Sequence, residues 1–364
     1  MIVEIGPRPY VALAFPDETL FFPSRTAALA PKDGQVLVSL PQVWAALGRE
    51  DVELIVVHPS FSAPWSLRHL HRSIFSRKML QGHSPLLRAW APEIVRWRGR
   101  APIVVVDHED LPVINRNNLF LLDRCDLYFK RELPADHWRV FLKTAHANLP
   151  TPRFRSTQAA ANRVAKLRPI SLGLPSQSIG RLPPPVQPKT ADVFFSGRIA
   201  GSSTLRTHGL AELMALRSQG IVVDIPEAPL PLDEFYRRCA AAWIVWSPEG
   251  FGWDCFRHYE AAACGSAVLM NNPSIDRHMP LLAGEQALYY DPEPCGLTRA
   301  LTSALSDRPK LARIAVAGQA HVMAHHTIDA LARHVVAAAR ALREPALQAE
   351  SRSPTSVPLA TAPS

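Results

Sequence analysis

Residues Ser247–Asn271 read SPEGFGWDCFRHYEAAACGSAVLMN. The apolar run Ala242-Trp243-Ile244-Val245-Trp246 leads into this stretch as a buried strand. Gly250 and Gly252 then let the backbone turn and let a ligand come close to it. The pattern predicts a helix from about Asp254, a residue type suited to capping a helix start. A helix N-terminus beside a glycine turn stabilises an anion such as a diphosphate, because its first amides are free and its dipole is positive there. Arg257 and Glu260 are three residues apart and share one helix face. Gly265 closes the helix, and Ala267-Val268-Leu269-Met270 begins the next strand. Turn, anion site and carboxylate together ask for a nucleotide-diphospho-sugar.

The 364 residues suffice for two domains, each with its own core. No apolar run approaches the roughly 18–20 residues that span a bilayer. The start, MIVEIGPRPY, lacks a basic region followed by a long apolar core, so no secretory leader is expected. Cysteines 125, 239, 255, 264 and 295 are scattered with no C-x-x-C, which argues against a zinc knuckle or a disulfide framework and fits a reduced cytoplasm. The net charge of +8 is local: residues 1–180 hold 23 Lys+Arg against 15 Asp+Glu, and the rest is balanced. Trp65–Arg100 alone carries eight basic residues and one acid, Glu93. Such a patch meets an anionic acceptor or the anionic inner face of a membrane. Trp65, Trp90 and Trp97 also offer stacking for nucleic acid, but no recognised nucleic-acid module accompanies them.

Strand–helix alternation sets the fold class. Val52–Val57, Pro102–Val106 and Asp126–Lys130 read as strands, and Ile103–Val106 is apolar throughout, as in a strand covered on both faces. Val11–Phe15 and Leu20–Phe22 read as a hairpin, and Val36–Val38 as a further strand. RLPPPVQPKTA, residues 181–191, is a Pro-rich break and the expected linker. It divides an acceptor-side domain, 1–180, from a nucleotide-sugar-binding domain, 192–344, followed by a tail, 345–364, with a disordered composition. Beyond the break, strands are expected at Asp192–Ser196, Val222–Ile225, Trp243–Trp246, Ala267–Met270 and Ala287–Tyr290. Helices are expected at Thr204–Ser218, Leu232–Ala241, Asp254–Cys264 and over Leu311–Arg343. This is α/β architecture: two Rossmann-like parallel-sheet domains facing across a cleft. Ligands of such sheets sit at the carboxyl ends of strands.

Candidate site residues cluster at those ends. Ser196-Gly197-Arg198 follows one strand, and Gly201-Ser202-Ser203 opens a helix bearing Arg206; Arg198 and Arg206 suit a diphosphate. Glu249 and Glu260 flank the opening turn and suit ribose or sugar hydroxyls. In the first half, Asp107-His108-Glu109-Asp110 follows Ile103–Val106, and Asp107, His108 or Asp110 would serve as base toward an acceptor hydroxyl. Lys130 and Arg131 follow the next strand and would pair with Asp107 or Asp110, or steady a leaving diphosphate. Each group also has a plain structural reading, as an acidic loop, a cap or an ion pair. Asp107-His108-Glu109 also reads as an Asp-x-Asp-like metal motif, but that leaves the second half without a purpose.

The stretch from Glu249 to Gly265 resembles the donor-site motif of group 1 glycosyltransferases of the GT-B fold, closest to the spore-maturation-protein-like branch, in which an Arg stands three residues before the helix Glu. Ser196-Gly197-Arg198, Leu288-Tyr289-Tyr290-Asp291, His326-Thr327 and DLYFKREL at Asp126–Leu133 resemble further segments of that branch. The resemblance implies a metal-independent glycosyltransferase using a nucleotide-diphospho-sugar and no cofactor, with Gly197, Arg198, Arg206, Glu249, Gly250, Gly252, Asp254, Arg257 and Glu260 at the donor. One departure stands out. The family pattern has seven residues between its glutamates, whereas ten separate Glu249 from Glu260, and alignment on Glu260 puts Gly252 at the first acidic position. This sets Glu249 apart from Arg257 and Glu260 and leaves room for a GT-B-like protein that binds a nucleotide or a partner without catalysis.

Overall fold

The computed structural model describes residues 1–23, 40–59, 95, 101–115, 118–146, 149–152, 156–184, 188–199 and 201–342. The expected strand at Val36–Val38, most of the basic segment Trp65–Arg100 and the tail from 345 lie outside them. The first part runs β1 (Ile2–Gly6), α1 (Val11–Ala14), β2 (Thr19–Pro23), α2 (Leu40–Leu47), β3 (Leu54–Val57), β4 (Ile103–Asp107), α3 (Leu119–Arg124) and β5 (Leu127–Lys130). A 3-10 turn (His137–Phe141), the antiparallel pair β6 (Leu142–His146) and β7 (Leu149–Pro152), α4 (Gln158–Val164) and β8 (Leu167–Pro169) complete it. The second part runs α5 (Ser176–Ile179), β9 (Ala191–Phe194), α6 (Thr204–Ser218), β10 (Val223–Asp224), α7 (Leu232–Ala241), β11 (Ala242–Trp246), α8 (Phe256–Ala263), β12 (Ala267–Asn271) and β13 (Leu288–Tyr290). It closes with α9 (Gly296–Leu305), α10 (Arg308–His325) and α11 (Ile328–Ala341).

Two parallel sheets result, in the orders β2-β1-β3-β4-β5-β8 and β10-β9-β11-β12-β13. Both faces of each are covered, which the period of two makes visible. Val3, Ile5, Ile55, Val57 and Val105 pack toward α2 and α3. Ile2, Leu54, Val56, Val104 and Val106 pack the other way, against Val11 of α1 and Leu331, Val335 and Val336 of α11. In the second sheet Val245, Val268 and Met270 meet α7 and α8, while Ile244, Trp246, Ala267 and Leu269 meet α6, α9 and α10.

Three readings change, and one gains detail. The residues read as a hairpin form α1 and β2, and β2 runs parallel to β1. The cause is Glu4, fully buried in β1, whose carboxylate accepts the amides of Tyr10, Val11 and Ala12 and so caps α1 from outside it. A carboxylate inside MIVEIG masks that stretch as a core strand. The helix expected from Asp254 starts at Phe256, with Cys255 at its cap and no side-chain cap bond. The helical region expected over Leu311–Arg343 divides at His326-Thr327, because Thr327 leaves helical geometry and caps α11 through the Ala330 amide. Helix α9 was not foreseen; Cys295, at its cap, takes a left-handed backbone at φ 60° that the sequence does not announce.

The sequence places α11 with the second part, but its apolar stripe belongs to the core of the first sheet. The chain therefore passes between the sheets twice, and the passes lie side by side. Leu174 N donates to His326 O at 2.6 Å, and Ile328 N donates to Leu174 O at 3.0 Å. Gly173 lies here at φ +70°, where a Cβ would come within 2.7 Å of His326 O. Leu174 already packs in the second sheet's core, ahead of the Pro-rich stretch. No helix of the described residues is long and apolar enough to cross a membrane.

His326 sits at this junction, its Nδ1 facing Ser171 Oγ at 2.9 Å and its Nε2 facing Met279 O at 2.8 Å. The carbonyl only accepts, so the ring carries its proton on Nε2 and Ser171 donates to Nδ1. Burial above all pushes the His326 pKa down from 6.5 to about 3. As pH falls below about 6.5 the unfolded chain takes up this proton first, so its contribution destabilises the fold progressively down to about pH 3. His326→Gln, which keeps a donor toward Met279, is expected to make the fall in Tm between pH 7 and 5 shallower than in wild type. The difference should correspond to on the order of 1–2 kcal/mol. Calorimetry across that range checks it, and parallel Tm curves would contradict it.

Candidate functional site

A cavity of about 520 Å³ lies between the two sheets. Asp110 and Arg131 line it from the first part, Leu172 from the crossing, and Ser196, Arg198, Ser202, Arg206, Gly250, Phe251, Cys255, Arg257 and Glu260 from the second. Strand carboxyl ends place them: β4 and β5 carry Asp110 and Arg131, β9 carries Ser196–Arg198, and β11 carries the turn.

Arg257 dominates the electrostatics. Its guanidinium lies over the Phe195 ring at 5.1 Å, and its Nε and Nη1 are buried without a hydrogen-bond acceptor. Burial first, then the neighbouring Arg206 charge, lowers its pKa from the usual arginine value. Its approach requires Gly197, where a Cβ would stand 2.1 Å from Nη2. Arg206, buried on α6, is a staple: Nε donates to Glu249 O at 2.9 Å, Nη1 to Arg198 O at 2.8 Å and Nη2 to Pro248 O at 3.4 Å. It ties the loop after β9 to the turn after β11. Among the described residues the Phe256 and Arg257 amides, at the start of α8, have no acceptor. A buried guanidinium and free helix-terminal amides on one cavity wall make an anion site.

Glu260 lies one helical turn along from Arg257. Tyr236 Oη donates to its Oε1 at 3.1 Å. Arg257 shares its helix face but forms no ion pair with it, the oxygen Oε1 being held by Tyr236 instead. Burial raises the Glu260 pKa, and Tyr236 and Arg257 oppose the rise. Glu249 separates from it as the spacing suggests: Asn271 Nδ2 donates to its Oε2 at 3.1 Å and Ser203 Oγ to its Oε1 at 3.4 Å. Asn271 Oδ1 in turn accepts the Glu249 amide, so the carboxylate steadies the turn from behind and is off the cavity lining.

Asp254 also lies off the lining, 2% exposed. Its Oδ2 accepts the Leu172 amide at 2.8 Å and its Oδ1 accepts Tyr259 Oη at 2.5 Å. It is spent on the crossing segment and on α8, which is why it does not cap the helix. Gly250 and Gly252 keep negative φ; what they admit is Arg206 Nη2, 2.8 Å from a Cβ at 250, and Glu132 Oε1, 2.4 Å from one at 252. Ser247 Oγ at 2.8 Å from Nδ1 and Trp253 O at 2.9 Å from Nε2 fix His258 beneath the turn, neutral because burial lowers its pKa to about 3.

On the first-part side, Asp107 is saturated. Its Oδ2 accepts Tyr128 Oη at 2.8 Å and pairs with Lys130 Nζ at 3.1 Å, and its Oδ1 accepts the Glu109 amide at 3.0 Å. Lys130 is fully buried in that pair and off the cavity. An ammonium against the carboxylate also spoils the Asp-x-Asp-like metal reading. His108 lies against Tyr10, ring centroids 5.0 Å apart, with Nε2 buried and unpartnered; burial, then the His58 charge, lowers its pKa to about 3. Asp110 is half-exposed and pairs with Arg131 Nη1, whose Nη2 donates to Asp254 O.

The residues that sequence reasoning missed are the supports. Tyr236 and Asn271 hold the two glutamates from 24 and 22 residues away, a separation no local pattern signals. Glu132 stands beside Arg131 in KREL, and its position directly after a strand was the available signal. Gly197→Ala is expected to displace the flexible end of Arg257 for about 1 kcal/mol of stability or less. Binding of inorganic pyrophosphate, measured by calorimetry, should weaken by about tenfold or more. Unchanged affinity would contradict the anion site.

Residues 229–337 match the family described as "Glycosyl transferase-like". The chain matches no curated protein in sequence. Among solved structures it is similar to sucrose-phosphate synthase from Thermosynechococcus elongatus, at 12% identity and TM-score 0.52 over 94% of this chain and 99% of that one. It is similar to α,α-trehalose 6-phosphate synthase from Burkholderia multivorans, at 11% identity and TM-score 0.57 over 98% and 99%. It is also similar to Anabaena HepE, solved in complex with UDP, at 15% identity and TM-score 0.50 over 93% and 99%. At these identities the likeness is one of fold: two facing parallel-sheet α/β domains, the GT-B architecture.

Proposed function

We propose that this chain, GT-B in fold and glycosyl transferase-like over residues 229–337, moves a sugar from a nucleotide-diphospho-sugar to an acceptor without a metal. The observation that carries the reading is the buried, unpartnered Arg257 guanidinium on the cavity wall beside the start of α8. A diphosphate satisfies those N–H groups and offsets the paired charges of Arg206 and Arg257. Arg198 and the Phe256 and Arg257 amides take its remaining oxygens. Glu260, oriented by Tyr236, accepts the ribose diol. HepE, of the same fold, is solved with UDP and with UDP-glucose, which agrees with a donor of this class.

Transfer is displacement at the anomeric carbon, with the leaving diphosphate held by fixed cations and helix amides, which need no reorganisation as charge develops. The acceptor approaches from the first part. Asp107 is committed to Lys130 and Tyr128, and His108 is neutral and off the cavity lining with its Nε2 buried, so the proton acceptor is Asp110, with Asp107 as an orienting group. The basic segment Trp65–Arg100 suits an anionic acceptor or an anionic membrane face. A second reading, nucleotide binding without transfer, draws on the two carboxylates, Asp107 and Glu249, that are spent on neighbours.

A thermal-shift screen of UDP, GDP and ADP should raise Tm with at least one of them, and Glu260→Ala should weaken that nucleotide about 10- to 100-fold. A panel of nucleotide sugars should then yield released nucleotide in wild type and little in Glu260→Ala. No shift with any nucleotide would overturn donor binding. Binding without turnover of any donor would favour the second reading.

A further inference from the structure

Glu132 presents a contradiction on charge alone. It is a buried carboxylate, 3% exposed, beside a site built for an anion. Its Oε1 accepts the Asp254 amide at 2.9 Å and its Oε2 the Trp253 amide at 3.0 Å. It therefore occupies two amides of the turn and sets a repelling charge behind the anion wall. Burial raises its pKa, with Arg131 and the two amides opposing the rise. A costly group in a costly place needs a compensating role.

The role follows from where Glu132 comes from. It belongs to the first sheet, directly after β5, yet both its bonds go to the second. Arg131 completes the grip by donating to Asp254 O, so two adjacent residues hold both polarities of the same backbone. Gly252 shows how close the fit is, since a Cβ there would meet the Glu132 carboxylate at 2.4 Å. Immediately beyond the gripped residues come Cys255 and then Phe256 and Arg257, whose amides and guanidinium form the anion wall.

Building on the proposed donor site, we infer that Glu132 is its positioning residue: a carboxylate of the acceptor-side sheet that fixes the turn at Gly252–Asp254 and so aims the start of α8 at the diphosphate. Donor binding and docking of the two sheets are then linked, and each strengthens the other.

The sign of one substitution tests this. If Glu132 acted only through its charge, Glu132→Gln would tighten binding of an anionic nucleotide. As a positioning residue its loss weakens binding, because a glutamine oxygen accepts one amide and its NH2 opposes the other. The Kd of whichever of UDP, GDP and ADP wild type binds is expected, by calorimetry, to rise at least tenfold in Glu132→Gln. Gly252→Ala should do the same, and the double variant should be no worse than either single one. His137→Ala removes a separate contact between the sheets, the 2.7 Å pair with Asp276, and should leave Kd within about twofold. Amide exchange at Trp253 and Asp254 should accelerate in Glu132→Gln with no nucleotide present. Tighter or unchanged binding in Glu132→Gln, additive losses in the double variant, or an equal loss in His137→Ala would overturn the inference. If wild type binds none of UDP, GDP and ADP, the donor reading falls and takes the donor role of Glu132 with it. Unchanged exchange at Trp253 and Asp254 would refute the grip itself.

Discussion

The side-by-side passage of the chain between its two sheets is the constraint on which the rest depends. Leu174 exchanges backbone hydrogen bonds with His326 and Ile328, so the outgoing and returning segments form one short ladder. Around it the contacts between the parts are polar and specific: Asp254 with the Leu172 amide, Arg131 with Asp254 and Asp110, Asp276 N with Leu133 O. Two sheets joined by a single linker would be free to swivel. Two adjacent crossings fix an axis, and the polar contacts then choose an angle about it. The cavity is the space this arrangement leaves at the strand ends.

Around the cavity, most of the charged groups serve the backbone first. Arg206 bonds three loop carbonyls, Glu132 two amides, Asp254 an amide and a tyrosine. Glu249 holds Asn271 and Ser203. Arg257 is the exception, since Phe195 and Gly197 shelter it while two of its nitrogens stay without acceptors. Glu260 is intermediate, with Tyr236 on one oxygen. A site organised this way spends many ionisable residues to keep a few in place, and removing a support can cost as much as removing a contact.

The parallel strands were legible where they are apolar throughout, as in Ile103–Val106 and Ala267–Met270, because both faces are covered. Helices α6 and α7 were legible from the strand–helix alternation and lie where it placed them. β1 was not, because the buried Glu4 imitates a surface position. Of the site, Arg257, Glu260 and the glycine turn were readable as a local pattern on one helix and one loop. The fates of Asp107, Asp254 and Glu249 were not, because each is decided by a partner from a distant segment. The spacing between the glutamates was the one local clue that separated Glu249 from Glu260.

The return of α11 to the first sheet bears on the order of folding. Leu331, Val335 and Val336 complete a core otherwise formed by strands β1, β3, β4 and β5 and by α1, and Arg340 reaches Glu18 and Glu53. As the chain leaves the ribosome, the first sheet emerges early with one face covered only by the short α1. It stays so until residues 328–341 appear, after the whole second sheet has been made. The second sheet can collapse on its own helices in the meantime. Folding of this chain is thus expected to run against the direction of synthesis, with the first-made part waiting for the last, and with exposed apolar strand faces in need of protection during that delay.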